Sequence, residues 1–155
     1  MNKLERLEQE AYDANVKVHT YYLGEENLKG FYASGHIAIN TSVHDSTEKV
    51  CILAEELGHH YTSVGNILDM RSIQNRKQER QARLWGYNKL IGLTGLIEAY
   101  EQGCQNSHEI AEFLEVTEEF LFFCVETYME KYGEYTEKGS YIIYFIPTLA
   151  VLKKI

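Results

Sequence analysis

The stretch Val50-Cys51-Ile52-Leu53-Ala54-Glu55-Glu56-Leu57-Gly58-His59-His60-Tyr61 decides how this chain is read. At about 100° per residue, Val50, Leu53, Ala54, Leu57 and Tyr61 fall in one stripe, which predicts a helix with that stripe on the core. Glu55 and His59 stack one turn apart, roughly opposite the stripe. Glu56 lies to one side of them, and His60 stacks over Glu56. Asp45 with Glu48 three residues later is a capping-box-like start, so the helix covers about 46–63 and ends near Gly65.

Upstream, Leu4, Leu7, Ala11 and Ala14 have helical spacing over residues 3–14. Val16 to Tyr22 alternates and is rich in β-formers, which predicts a strand. Phe31-Tyr32-Ala33 and His36 to Asn40 read as two short strands joined at Ser34-Gly35. Downstream, 76–101 reads as a long helix interrupted by Gly86, Gly92 and Gly95, followed by helices at about 107–114 and 117–132. Tyr141 to Phe145 reads as a late strand. The class is α+β: a helical domain with a small antiparallel sheet near the N-terminus. The whole chain, 1–155, is expected to form one domain. Its parts are about 1–66 (helix, small sheet and site helix) and about 67–155 (later helices and strand).

Composition bounds the function. With 155 residues, 45% of them hydrophobic, the chain can bury roughly 68–70% of its unfolded surface without a staple. The net charge of −8 disfavours nucleic acid and anionic membranes, whose binding depends on neutralising phosphate, and leaves room for a basic protein partner. Cys51, Cys104 and Cys124 are odd in number and form no CxxC, the usage of reduced thiols in a cytoplasm. The charged Met1 to Arg6 start is not that of a signal peptide. The longest apolar run, Tyr141 to Leu152, is broken by Pro147 and too short to cross a bilayer.

The chemistry lies in Glu55-Glu56-Leu57-Gly58-His59. It resembles HExxH, in which ligands at i and i+4 hold zinc and the glutamate between them is the general base. Here Glu55 stands in the first ligand place, Glu56 in the base place and His59 in the second ligand place. Carboxylate oxygen binds zinc at about the same distance as imidazole nitrogen, but its charge weakens the ion as a Lewis acid and suits a harder metal such as manganese. A second register pairs Glu56 with His60 and leaves Leu57 where the base should be. A solvated helix face has the same spacing. A third donor favours the metal reading: Glu79 opens the next helix, Ala82 permits close helix packing, and Trp85 would anchor that helix in the core.

Leu53 to Thr62 and the E-x-x-A-x-x-aromatic motif at Glu79, Ala82 and Trp85 resemble the ImmA/IrrE family of metallo-endopeptidases of phages and other mobile elements. The order of helix, small strands and site helix is also similar. The resemblance implies a zincin-like site helix with Glu55, His59 and Glu79 as metal positions and Glu56 as catalytic base. Zinc is the implied metal, with manganese as the alternative. His60 and Tyr61 become neighbours that orient ligands or stabilise an oxyanion, although core packing or a structural hydrogen bond explains both more simply. The implied partner is a helix-turn-helix repressor of a prophage or integrative element. The chain departs from the family at Glu55, where histidine is usual. That departure motivates a second reading, a non-catalytic anti-repressor that sequesters its target.

Other features carry less. Residues 109–120 have the apolar spacing of a helix-turn-helix, but Glu118 and Glu119 would face phosphates, so DNA binding is disfavoured there. Phe120 to Phe123, with Tyr128 and Tyr132, reads as a buried helix, with an exposed groove for the repressor or a dimer partner as the alternative. His19, His36, His44 and His108 read as structural or surface residues. Arg71, Arg76, Lys77, Arg80 and Arg83 form a basic patch that would pair with neighbouring glutamates or an acidic partner.

Overall fold

The computed structural model describes residues 1–24, 28–62 and 73–155, with side chains described from residue 76 onward in the last segment. Two compact units divide the chain, Met1–Gly86 and Tyr87–Ile155. The expected helix end at Gly65, the expected internal division near residue 66 and Arg71 lie outside the described residues. The class is α+β, as read from the sequence.

In the first unit, helix α1 (Lys3–Asp13) starts where Asn2 Oδ1 accepts the Glu5 amide at 2.8 Å, and it buries Leu7 and Ala11. Strands β1 (Lys17–Tyr21), β2 (Gly30–Ala33) and β3 (His36–Asn40) form a sheet of order β1-β3-β2. Ser34 and Gly35, with φ of 47° and 80°, make the two-residue hairpin between β2 and β3. That pair is antiparallel as expected, but β1 runs parallel to β3, so the sheet is mixed. Central β3 is the buried strand, through Ile37, Ile39 and Asn40, and β2 is left as an edge. Buried Asn40 is satisfied locally: Nδ2 donates to the Leu28 carbonyl at 2.8 Å and Oδ1 accepts the Ser42 amide at 3.3 Å.

Helix α2 (Ser46–Thr62) follows. Asp45 Oδ1 accepts the Thr47 amide at 3.3 Å, the expected cap, but Glu48 does not complete the box; it pairs with Lys29 at 3.1 Å. Val50, Leu53, Ala54 and Leu57 are buried as the wheel requires. Tyr61, placed on the same stripe, is 46% exposed. The opposite side is covered instead, because helix α3 (Ile73–Leu90) packs across it. A Cβ on Gly58 would collide with the Ala82 carbonyl, and one on Gly86 would lie 3.4 Å from the Ala54 backbone. Three small residues thus let two backbones touch. Trp85 is half-buried and stacks on Tyr61, with centroids 5.0 Å apart, rather than entering the core.

The second unit begins within α3. The expected long helix breaks at Gly92 (φ 65°), where α4 (Gly92–Glu101) starts, while Gly86 and Gly95 stay helical. Helices α5 (Ser107–Leu114) and α6 (Glu118–Tyr132) are capped by Asn106 and Thr117. The late strand is one of three in an antiparallel meander: β4 (Tyr135–Lys138), β5 (Tyr141–Tyr144) and β6 (Ala150–Lys153). Tyr128, Ile143 and Phe145 are buried, and the Tyr128 hydroxyl donates to Asn88 at 2.7 Å. Helix α6 is buried on one face only, since Phe122 and Phe123 are exposed. The three cysteines are free, and no helix among the described residues is long and apolar enough to cross a membrane.

Candidate active site

Helix α2 carries Glu55, Glu56 and His59 to its contact with α3, which carries Glu79 and Arg83. His59 Nε2 stands 3.1 Å from Glu79 Oε2 and 4.0 Å from Glu56 Oε1. Glu55 Oε1 accepts from Arg83 Nε at 3.2 Å, and the same nitrogen lies 3.4 Å from Glu79 Oε1. The four acid–base residues named from the sequence are therefore gathered within one unit. His59 and Glu56 are buried rather than on a solvated face.

Burial sets the electrostatics. It pushes the Glu56 carboxyl up to about 7, with the neighbouring Glu55 and Glu79 adding to the rise and His59 opposing it. Burial also raises Glu55, partly offset by Arg83. For His59, burial favours the neutral ring, but the hydrogen bond to Glu79 and the charges of Glu56, Glu79 and Glu55 outweigh it, and its pKa is raised. Glu79 shows the converse. Burial resists its ionisation, yet the His59 hydrogen bond, the His59 charge and Arg83 win, so its carboxyl stays below the usual range. The result is an acid–base cluster whose members ionise at different pH, the property that general acid–base chemistry needs.

The remaining neighbours divide. His60 Nδ1 lies 2.7 Å from the Tyr32 hydroxyl, which also accepts the Gly35 amide at 3.1 Å. His60 is thereby tied to the hairpin, while Glu56 stands beside His59. Tyr61 is engaged in its stack with Trp85 and the ring of His60. Tyr32 was not legible in the sequence, because a strand tyrosine names no partner. Gly30 on edge strand β2 is a second unread contributor: a Cβ there would press on Ile52 and come within 3.2 Å of Glu56 Oε2. Gly30 makes the room in which Glu56 sits.

A metal tests the cluster further. Two ligands on one tetrahedral zinc lie roughly 3.3 Å apart, since each is about 2.0–2.2 Å from the ion. The His59–Glu79 separation fits that spacing, and an imidazole with carboxylates fits the donor chemistry. The third donor differs, because Glu55 is held by Arg83. Among the described residues no group of three or more His, Cys, Asp or Glu side chains is arranged to hold a metal ion.

The fold and site define an α+β protein with buried acid and base residues on a helix–helix contact. A family model described as the IrrE N-terminal-like domain, peptidase M78, matches residues 11–123. The chain belongs to this metallopeptidase family. Comparison with curated proteins and with solved structures finds no significant match.

Proposed function

We propose that this protein is a metal-dependent endopeptidase that cleaves a helix-turn-helix repressor of its own mobile element, with Glu56 as general base. The observation that carries this is Glu56 itself: buried, raised to about 7 and 4.0 Å from the imidazole of a His59–Glu79 pair. Glu55, His59 and Glu79 would hold the ion, zinc or manganese. The ion's chemistry is to polarise a carbonyl and to acidify water. Glu56 is buried against Gly30 of edge strand β2, where the missing Cβ leaves room for its carboxylate.

The test is incubation of purified protein, supplied with zinc, with the repressor encoded beside it. Repressor fragments are expected with wild type, and Glu56→Gln should lower the rate at least about 100-fold. Cleavage at the native rate in the variant removes Glu56 from the mechanism.

One observation favours a second reading. The Glu55–Arg83 pair neutralises the carboxylate in the first ligand place, as suits a protein that binds the repressor without cutting it. Release of the repressor from its operator with no fragments, unchanged in Glu56→Gln, would support sequestration over hydrolysis.

A further inference from the structure

We propose that Arg83 is a tethered cation standing in for the metal ion at the Glu55 and Glu79 carboxylates, so that an ion enters this site only by displacing it. The inference rests on the metallopeptidase reading above. It goes beyond that reading by assigning Arg83 as the residue that sets metal occupancy.

The geometry carries it. Arg83 Nε lies 3.2 Å from Glu55 Oε1 and 3.4 Å from Glu79 Oε1, and so bridges one carboxylate from each helix. Both are proposed metal ligands. Glu79 uses its other oxygen, Oε2, on His59. The arginine thus occupies the side of the pair away from the imidazole.

Two carboxylates as close as Glu55 and Glu79 repel one another unless a cation lies between them or one takes up a proton. Here the chain carries part of that positive charge covalently, in Arg83. Arginine does not lose its proton in proteins, so this counter-charge cannot be switched off by pH as a lysine's or histidine's could. It can only move. Its side chain is 51% exposed, so the guanidinium has solvent to swing into when a stronger cation arrives. Bound ion and bridged Arg83 are therefore competing states of the same carboxylates, and each lowers the population of the other.

The test is a competition titration of the whole metal-free chain with zinc against a chromophoric chelator, on wild type and Arg83→Gln. Arg83→Gln should bind zinc roughly ten-fold more tightly at low salt. The gap should narrow as salt screens the exposed guanidinium. Melting supplies a readout independent of affinity. In chelator, Arg83→Gln should melt below wild type, because the carboxylates lose their counter-ion; in saturating zinc the gap should close, because the displaced arginine no longer touches them. Arg83→Met, which keeps the apolar stem, should behave alike and guards against a mere loss of packing. Equal or weaker zinc binding by both variants, with one equivalent still bound by wild type, overturns the competition and leaves the metal site standing. Zinc bound by none of the three proteins overturns the metallopeptidase reading and this inference with it.

Discussion

Glu56 shows how one residue couples fold to chemistry. Its carboxyl is buried beside two other glutamates and is raised to about 7. In the unfolded chain it titrates in the usual carboxylate range, near 4.3. Between these values the folded state holds a proton that the unfolded state has lost. The stability this contributes is complete below the ordinary range and is lost as pH rises through about 7. Glu56→Gln cannot ionise. In chelator, the variant should match wild type below about pH 4 and exceed it by roughly 3–4 kcal/mol above pH 8. Urea unfolding across that range measures it, and parallel curves for the two proteins would show that Glu56 does not carry the charge cost. The i, i+1, i+4 pattern was legible because helical geometry is fixed by residue number. The environment of each carboxylate was not. Arg83 and Tyr32 reach the site from another helix and from a hairpin.

At the scale of elements, the contact of α2 with α3 positions the site. It depends above all on Gly58, where a Cβ would collide with the Ala82 backbone, with Gly86 close against Ala54. Gly58→Ala would ordinarily favour a helix, since alanine is the better helix former. Here its Cβ meets the Ala82 carbonyl, so the change should cost about 1–3 kcal/mol and widen the His59–Glu79 pair. A thermal melt with a zinc titration checks both effects; a stabilised variant with unaltered zinc affinity would contradict the close packing. Helix boundaries followed well from periodicity, and from the Asp45 cap; Asn106 and Thr117 prove to cap the two later helices. Glu48 and Tyr61 departed from expectation for one reason. Each found a partner distant in sequence, Lys29 and Trp85, that local patterning cannot specify.

For the molecule as a whole, charge is the governing quantity. With a net charge of −8 and Glu118 and Glu119 in the first turn of α6, the helix-turn-helix-like segment presents acid where phosphates would lie. Duplex DNA should show no mobility shift with micromolar protein at roughly 50 mM salt. A salt-sensitive shift under those conditions would mean that α5 and α6 bind DNA after all. The same acidity suits a basic protein target, consistent with a repressor as partner.

By itself the sequence determined the class, most element boundaries, and the spacing that puts Glu55, Glu56 and His59 on one helix with Glu79 on the next. These follow from helical and strand periods, capping chemistry and composition, all of which act over a few residues. Tertiary structure alone decided that β1 runs parallel to β3, that His59 and Glu56 are buried, that His60 belongs to Tyr32, and that Arg83 bridges Glu55 and Glu79. Those outcomes depend on which surfaces meet. Burial and charge pairing are properties of that meeting, and no period along the chain encodes them.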